Sequence, residues 1–171
     1  PNSVYDLAGN VASSNQSNNS ANLVRGIVSD NVILYLDARN VASYPGSGTD
    51  WYDLSGNGND FRIYGATYNN SGYFDFDGSN DFVRLTNLGS FTNTSVTFWA
   101  KHNGSNSDYD RALGMNWGKF ELAKSGNGQL RIYTVSLGWN NLSYVMTQGQ
   151  WTHVAITLDG TNLKIYIANF I

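Results

Sequence analysis

Oxygen-bearing side chains are concentrated in two short segments that also contain glycine. Segment 53–60 reads DLSGNGND and segment 76–81 reads FDGSND. The candidate ligands are Asp53, Asn57 and Asn59 in the first segment, and Asp77, Asn80 and Asp81 in the second. Because Ca²⁺ binds carboxylate and amide oxygens on adaptable loops, these residues could form a structural calcium site if the two segments meet.

The same residue types have a second interpretation that needs no metal. Asp and Asn side chains often accept hydrogen bonds from nearby backbone amides and so close Asx-turns. Gly56 and Gly58 would then supply the positive φ angles that such turns need. We expect turn formation to be the main role of Asp53 and Asp77, with calcium binding as the alternative.

A second group of side chains could bind carbohydrate, because apolar and aromatic surfaces with a few placed polar groups are typical of ligand sites. In the segments DYDRALGMNWGKF and SLGWNNLSY, the residues in predicted loops are Tyr109, Trp117, Trp139 and Asn140. These aromatic rings could equally pack inside the fold or contact a protein partner. In contrast, Trp99 and Trp151 lie in alternating segments and are expected in the core.

Catalytic residues are not expected. Glycosidases need two carboxylates that flank the scissile bond, yet Glu121 is the only Glu, and Asp75-x-Asp77 runs directly into a turn. No Gly-x-Ser-x-Gly nucleophile motif occurs, and His153 fits a hydrogen-bonded sheet histidine. The sequence therefore predicts that the protein is not an enzyme.

Composition limits the class of protein. The chain has 171 residues, which suits one domain, and only 13% are charged. Its polar surface must come from Asn, Ser, Thr and Gly, as in extracellular or particle-surface domains. The net charge of −3 without a basic cluster argues against a nucleic-acid partner. No apolar run approaches the ~20 residues needed to span a bilayer, so membrane insertion is not expected.

Short apolar-polar alternating segments separated by turn signals predict an all-β antiparallel sandwich or barrel. Single strands are predicted at 31–38, 61–65, 94–102, 129–136, 150–160 and 162–171. Two further segments each contain a pair of strands: 72–85, with a hairpin at Asp77–Gly78, and 111–124, around Asn116–Gly118. Residues 1–24 are rich in Asn and Ser and are expected to form an extended arm or linker before a sandwich at 25–171. The last strand ends at Ile171 without polar closure, so we expect return strands beyond it.

Several segments, taken in order, resemble the concanavalin A-like, laminin G-like jelly rolls of the LamG/pentraxin superfamily. They are VILYLDARNVASYPGSGTDWYDLSGNGNDF, FDFDGSNDFV, VTFWAK and GQWTHVAITLDGTNLKIYI, within roughly Val28 to Ile167. The resemblance implies two curved antiparallel sheets, often one calcium ion, and binding rather than chemistry. Family members usually follow the last strand with an Asn-Gly turn, whereas Asn169–Phe170 stands there in this chain.

The first of these segments is also similar to domains in surface proteins of tailed phages and marine microbes. We therefore expect a non-catalytic module of a virion or extracellular surface protein, used for particle decoration or host-surface adhesion. Its expected partners are other virion or surface-protein subunits, and glycans. The alternative is a carbohydrate-binding lectin module of a secreted bacterial protein, and a glycosidase is a remote third possibility.

Overall fold

The computed structural model describes residues 31–86, 88–89, 93–104, 110–115, 120–134, 138–159 and 162–169. Within these ranges the chain forms twelve β-strands and no helix. In chain order they are β1 Asp50–Trp51, β2 Phe61–Tyr64, β3 Thr67–Asn69, β4 Tyr73–Asp75, β5 Phe82–Arg84, β6 Asn93–Lys101, β7 Asp110–Met115, β8 Phe120–Lys124, β9 Gln129–Thr134, β10 Gly138–Val145, β11 Trp151–Asp159 and β12 Asn162–Asn169. The predicted all-β class is confirmed. Over the same ranges, no helical segment has the length and hydrophobicity needed to cross a bilayer. The arm predicted at 1–24 lies outside the described residues.

Two larger antiparallel sheets carry the core. One has the strand order β10-β9-β8-β7 and the other has the order β12-β11-β6. The buried core combines Leu122 and Ile132 of the first sheet with Val154 and Ile156 of the second. Partly buried apolar side chains from both sheets complete the cluster: Phe98, Leu113, Phe120, Leu142, Leu163 and Ile165. Burying one such side chain stabilises the fold by roughly 1.5–3 kcal/mol, so this shared layer holds the sandwich together.

Side chains alternate between the inner and outer face along each strand. In β11, Val154 and Ile156 are buried, whereas the preceding residue, His153, is only partly buried. In β9, Ile132 is buried and Tyr133 is partly exposed. This alternation determines which residues each sheet presents outward.

Two predicted hairpins are confirmed. β11 and β12 pair antiparallel up to Asp159 and Asn162, and β7 pairs antiparallel with β8. The Tyr144 hydroxyl hydrogen-bonds the Asn169 side chain and so links β10 to β12 across one edge of the sandwich.

The hairpin predicted at Asp77–Gly78 is wrong. β4 pairs with β3 and β5 pairs with β2, so the chain changes sheets at this point. The Asp77 carboxylate accepts hydrogen bonds from the backbone N–H groups of Ser79 and Asn80, at 2.8 and 3.3 Å. The Asp-Gly dipeptide therefore forms a local turn that is not a connection between paired strands.

A separate aromatic cluster supports the smaller sheets, ordered β1-β2-β5 and β3-β4. The Phe74 ring lies 4.9 Å from Tyr44 and 4.7 Å from Trp51, centroid to centroid. Tyr73 contacts Trp151 of β11 with centroids 5.3 Å apart. These rings join the smaller sheets to the sandwich.

The segment 31–38, predicted to be a strand, forms none in the structure. Side chains of the 53–59 loop hydrogen-bond the backbone of segment 31–38. The amides of Asn57 and Asn59 donate to the carbonyls of Val32 and Ile33, at 3.0 and 2.6 Å. A polar loop therefore occupies the place where a partner strand would form a ladder. Most residues of this segment are at least partly buried, but the sequence did not indicate the partner.

Trp99 is also not in the core, contrary to expectation. It is 49% exposed and lies opposite His153 in the register of β6 and β11. Its neighbour Phe98 takes the inward position and packs against the core. Trp151, also expected in the core, is only partly buried: it precedes buried Thr152 in the alternation of β11 and contacts Tyr73.

Candidate functional site

The 53–59 loop is organised around the Asp53 carboxylate. Oδ1 accepts hydrogen bonds from the backbone N–H groups of Tyr35 and Ser55, at 2.8 and 2.9 Å. Oδ2 accepts from the Ser55 hydroxyl at 2.6 Å and from the Asn59 backbone N–H at 3.1 Å. Gly56 and Gly58 have φ angles of 87° and 71°, which suit the tight path around this carboxylate.

Hydrogen bonding decides the acidity of Asp53. Partial burial raises the pKa of this carboxyl, because it disfavours the charged form. Hydrogen bonds from the Ser55 hydroxyl and from the backbone of Tyr35, Ser55 and Asn59 lower the pKa and together outweigh burial. The pKa of Asp53 therefore lies below that of an ordinary aspartate, and the loop favours the ionised carboxylate.

The second oxygen-rich segment forms its own turn. The Asp81 carboxylate accepts the Asp77 backbone N–H at 2.9 Å, and the backbone N–H of Ser79 is the main cause of a lowered pKa at Asp77. The amide side chain of Asn80 lies on the exposed part of this turn.

The two segments lie at opposite ends of β2. Asp60, which accepts the Asp53 backbone N–H at 2.8 Å, directly precedes β2. Asp81 directly precedes β5, which pairs antiparallel with β2, and its carboxylate adjoins Gly65 after the far end of β2. At ~3.3 Å per residue, the four-residue strand β2 separates the segments by roughly 15 Å.

This separation does not fit a calcium ion shared by both segments. Both Asp53 oxygens already accept hydrogen bonds, and the amides of Asn57 and Asn59 bind backbone carbonyls. Over the described ranges, no group of three or more His, Cys, Asp or Glu side chains could hold a metal ion. The geometry matches Asx-turns, and calcium binding stays a prediction.

Only two of the four residues of the predicted carbohydrate site fall within the described ranges. Tyr109 and Trp117 lie outside the described residues. Trp139 and Asn140 lie in β10, where the sequence predicts a loop. Because adjacent strand residues point to opposite faces, Trp139 and Asn140 cannot act on one ligand from the same face. The Asn140 side chain donates to the Gly138 carbonyl at 3.2 Å.

Trp139 nevertheless belongs to a compact group on the outer face of the four-stranded sheet. It pairs across strands with Tyr133, and their ring centroids are 5.4 Å apart. The Arg131 guanidinium carbon lies 5.4 Å from the Trp139 ring, a distance at which a cation is attracted to the ring face. Asn141 pairs with Arg131 and presents an exposed amide on this same face.

Tyr133, Arg131 and Asn141 were missed from the sequence as possible binding residues. For Arg131 and Tyr133 the signal was the alternation of 129–134, which places Leu130 and Ile132 inward and Arg131 and Tyr133 outward. We call Trp139, Tyr133, Arg131 and Asn141 the Trp139 face.

The outer face of the three-stranded sheet is also aromatic. Trp99 and Tyr166 are 49% and 54% exposed, and the His153 ring lies 4.9 Å from Trp99. His153 Nε2 and Thr97 Oγ1 are 2.6 Å apart, so this histidine is hydrogen-bonded within the sheet, as predicted.

A charged cluster that the sequence did not indicate lies where β6, β7 and β8 meet. Lys124, only 8% exposed, pairs with Asp110 at 2.8 Å. Burial lowers the pKa of nearby His102, and Lys124 lowers it further. His102 follows β6, Asp110 begins β7 and Lys124 ends β8, so no local motif revealed the cluster.

Comparison with known families agrees with this architecture. A family model described as the concanavalin A-like lectin/glucanases superfamily matches residues 77–168, more than half of the chain. The matched range contains β5 to β11 and nearly all of β12, and therefore both sheets of the sandwich. No curated protein and no solved structure gives a significant match.

Proposed function

The chain belongs to the concanavalin A-like lectin/glucanases superfamily, and from this membership we propose that it is a non-catalytic module that binds glycans through the Trp139 face. The observation that carries this proposal is the outward pairing of Trp139 with Tyr133 beside Arg131. Aromatic surface beside a few polar groups is typical of small-molecule sites. The rings would contact the apolar face of a sugar, while Arg131 and Asn141 would hydrogen-bond its hydroxyls.

We place this module on a virion surface or in an extracellular surface protein, where glycan binding would serve host-surface adhesion. The low charged fraction of 13% supports this location, as does the similarity of its motifs to phage and marine microbial surface domains. A lectin module of a secreted bacterial protein would use the same face in the same way.

The proposal contains no chemical step. Glu121, the only Glu, is held by Arg111, with Oε2 and Nε 2.5 Å apart. Asp75 lies in the separate two-stranded sheet, in β4. These positions support a binding role, and hydrolysis of chromogenic glycosides by the purified protein would contradict it.

A glycan array tests the Trp139 face directly. The protein should bind a subset of glycans, and Trp139→Ala should weaken binding about tenfold or more, because a lost aromatic contact of about 1.4 kcal/mol corresponds to a factor of ten. Asn140→Ala is the matched control, since this neighbour points to the other face. Absence of glycan binding, or equal binding by Trp139→Ala, would refute the assignment.

Particle decoration through contacts with other subunits is a second candidate function. The observation that favours it is the pair of exposed rings, Trp99 and Tyr166, on the outer face of the three-stranded sheet, because exposed aromatic side chains are common at protein interfaces. Sedimentation velocity over a concentration series tests it. Association that Tyr166→Ser weakens would support this function, and a monomer at all concentrations would count against self-assembly.

A further inference from the structure

The outer face of the three-stranded sheet β1-β2-β5 carries a second aromatic and cationic surface, separate from the Trp139 face. β2 and β5 pair with Tyr64 opposite Phe82 and Arg62 opposite Arg84. Ile63, between the two β2 positions, is buried, so these four side chains share the outward face. We call this group the Arg84 platform.

Its rings are ordered and open to solvent. The Tyr64 and Phe82 centroids are 4.5 Å apart with 19° between the planes, and the two residues are 38% and 43% exposed. Exposed aromatic pairs on a strand face offer apolar area at low entropic cost, because the rings are already fixed against each other.

The guanidinium of Arg84 is held beside these rings. Its central carbon lies 5.7 Å from the Tyr64 centroid and 5.9 Å from the Phe82 centroid. Such placement leaves the planar N–H groups of arginine able to bind a carboxylate in a bidentate manner.

The charges on this surface are unbalanced. Arg62 pairs with Asp50, with Nη1 and Oδ1 3.2 Å apart, whereas within the described ranges no carboxylate lies at ion-pair distance from Arg84. Two like charges directly opposite each other across neighbouring strands are destabilising. An anion bound at Arg84 would offset this repulsion. The whole chain carries a net charge of −3, so the excess of positive charge is local to this surface.

We propose that the Arg84 platform binds an acidic saccharide, a sugar carrying a carboxylate. The sugar ring would lie on Tyr64 and Phe82, and its carboxylate would pair with Arg84. A run of Asp and Glu in a peptide has carboxylates but no apolar ring face for the aromatic pair. A nucleic acid carries a dense row of phosphates, and two arginines on an acidic chain offer little to attract it. The platform thus extends the proposed glycan binding to a second site with its own ligand class.

Affinity electrophoresis in polygalacturonate, with neutral dextran as the uncharged polymer, tests this inference. Polygalacturonate should retard the protein, dextran should not, and about 0.5 M salt should weaken the retardation, since it screens exposed charges. Arg84→Gln should weaken binding about tenfold, because it removes a charge-assisted hydrogen-bond pair. Phe82→Leu should also weaken binding, because it keeps the apolar volume and removes the ring.

Two further variants sharpen the test. Asp50→Asn should tighten binding, because it releases Arg62 toward the ligand. Arg39→Gln, which removes an exposed arginine from the 38–42 turn, is the control for net charge and should leave the Kd unchanged.

Three outcomes would overturn the inference: no retardation by polygalacturonate, equal binding by wild type and Arg84→Gln, or equal binding to poly-L-glutamate or single-stranded DNA. These results are independent of the Trp139→Ala measurement, so each site can fail without the other.

Discussion

Residues 53–59 form a loop that hydrogen-bonds the backbone of residues 32–35. Replacing Asp53 with alanine tests whether the Asp53 carboxylate organises this loop. The substitution removes the acceptor of three backbone N–H groups and one hydroxyl. A hydrogen bond to a charged group contributes roughly 1.5–3 kcal/mol net. Because the site is partly exposed and water can replace some partners, we expect a total loss of about 3 kcal/mol.

This loss should be visible in two assays. In a protein of this size, 1 kcal/mol shifts Tm by about 2–4 °C, so Asp53→Ala should lower Tm by about 6–12 °C. Urea unfolding followed by tryptophan fluorescence should show a lower midpoint with an unchanged m-value. Asp77→Ala is the matched control, since it removes an Asx-turn on a fully exposed loop and should cost much less. Equal Tm changes in the two variants would refute the central role of Asp53.

The pH dependence supplies an independent check. Because the folded-state pKa of Asp53 is depressed, its stabilisation is fully present above the unfolded value of about 3.9 and is lost as pH falls through the folded pKa. The difference in unfolding free energy between wild type and Asp53→Asn should therefore shrink from about pH 6 to about pH 3. A difference that stays constant over this range would mean that the charge of Asp53 contributes nothing.

Two other predictions concern the loops. If hydrogen bonds alone hold the loops, EDTA should leave Tm unchanged. A bound calcium ion would instead raise Tm in a concentration-dependent way. A drop in Tm with EDTA that added calcium reverses would therefore establish a metal site. Gly128→Ala should destabilise the fold by about 2 kcal/mol or more, because Gly128 has a φ of 84° and a Cβ there would lie 2.8 Å from the Met146 carbonyl oxygen. Gly78→Ala, with a φ of 77° and open space around it, is the control for backbone strain alone, and equal losses would show that the Met146 contact has no effect.

The sequence predicted those elements whose pattern and partner are both local. The β11 and β12 segments both alternate, and the intervening Asp-Gly-Thr-Asn sequence is a turn signal, so the sequence indicated both members of the pair. β10 was missed because Asn140 and Asn141 are typical of turns, and as an outer strand of its sheet β10 tolerates a register shift between Asn141 and Val145. The sequence identified the family correctly because several segments occur in the expected order. No single segment is specific enough for this identification.

Long-range partners were the main source of error. The alternation in β6 indicates that the strand has two faces. It does not indicate which face is buried, because Phe98 and Trp99 are both apolar, and only packing against the opposing sheet places Phe98 inside. The same limit applies to the binding candidates. Tyr64, Phe82 and Arg84 lie in segments 61–65 and 72–85, and only the pairing of β2 with β5 makes them neighbours.

The pairing of β11 also bears on how the chain reaches this state. β11 has one partner next to it in the chain, β12, and one distant partner, β6, with β7 to β10 between them. Pairing between distant segments is slow, because loop closure must precede the contacts that reward it. During synthesis β6 emerges long before β11, so its pairing with β11 must wait until the β11–β12 hairpin has been made. We therefore expect two locally formed layers, the β7–β10 meander and the β11–β12 hairpin, with the docking of β6 as the late step that commits the molecule to its final shape.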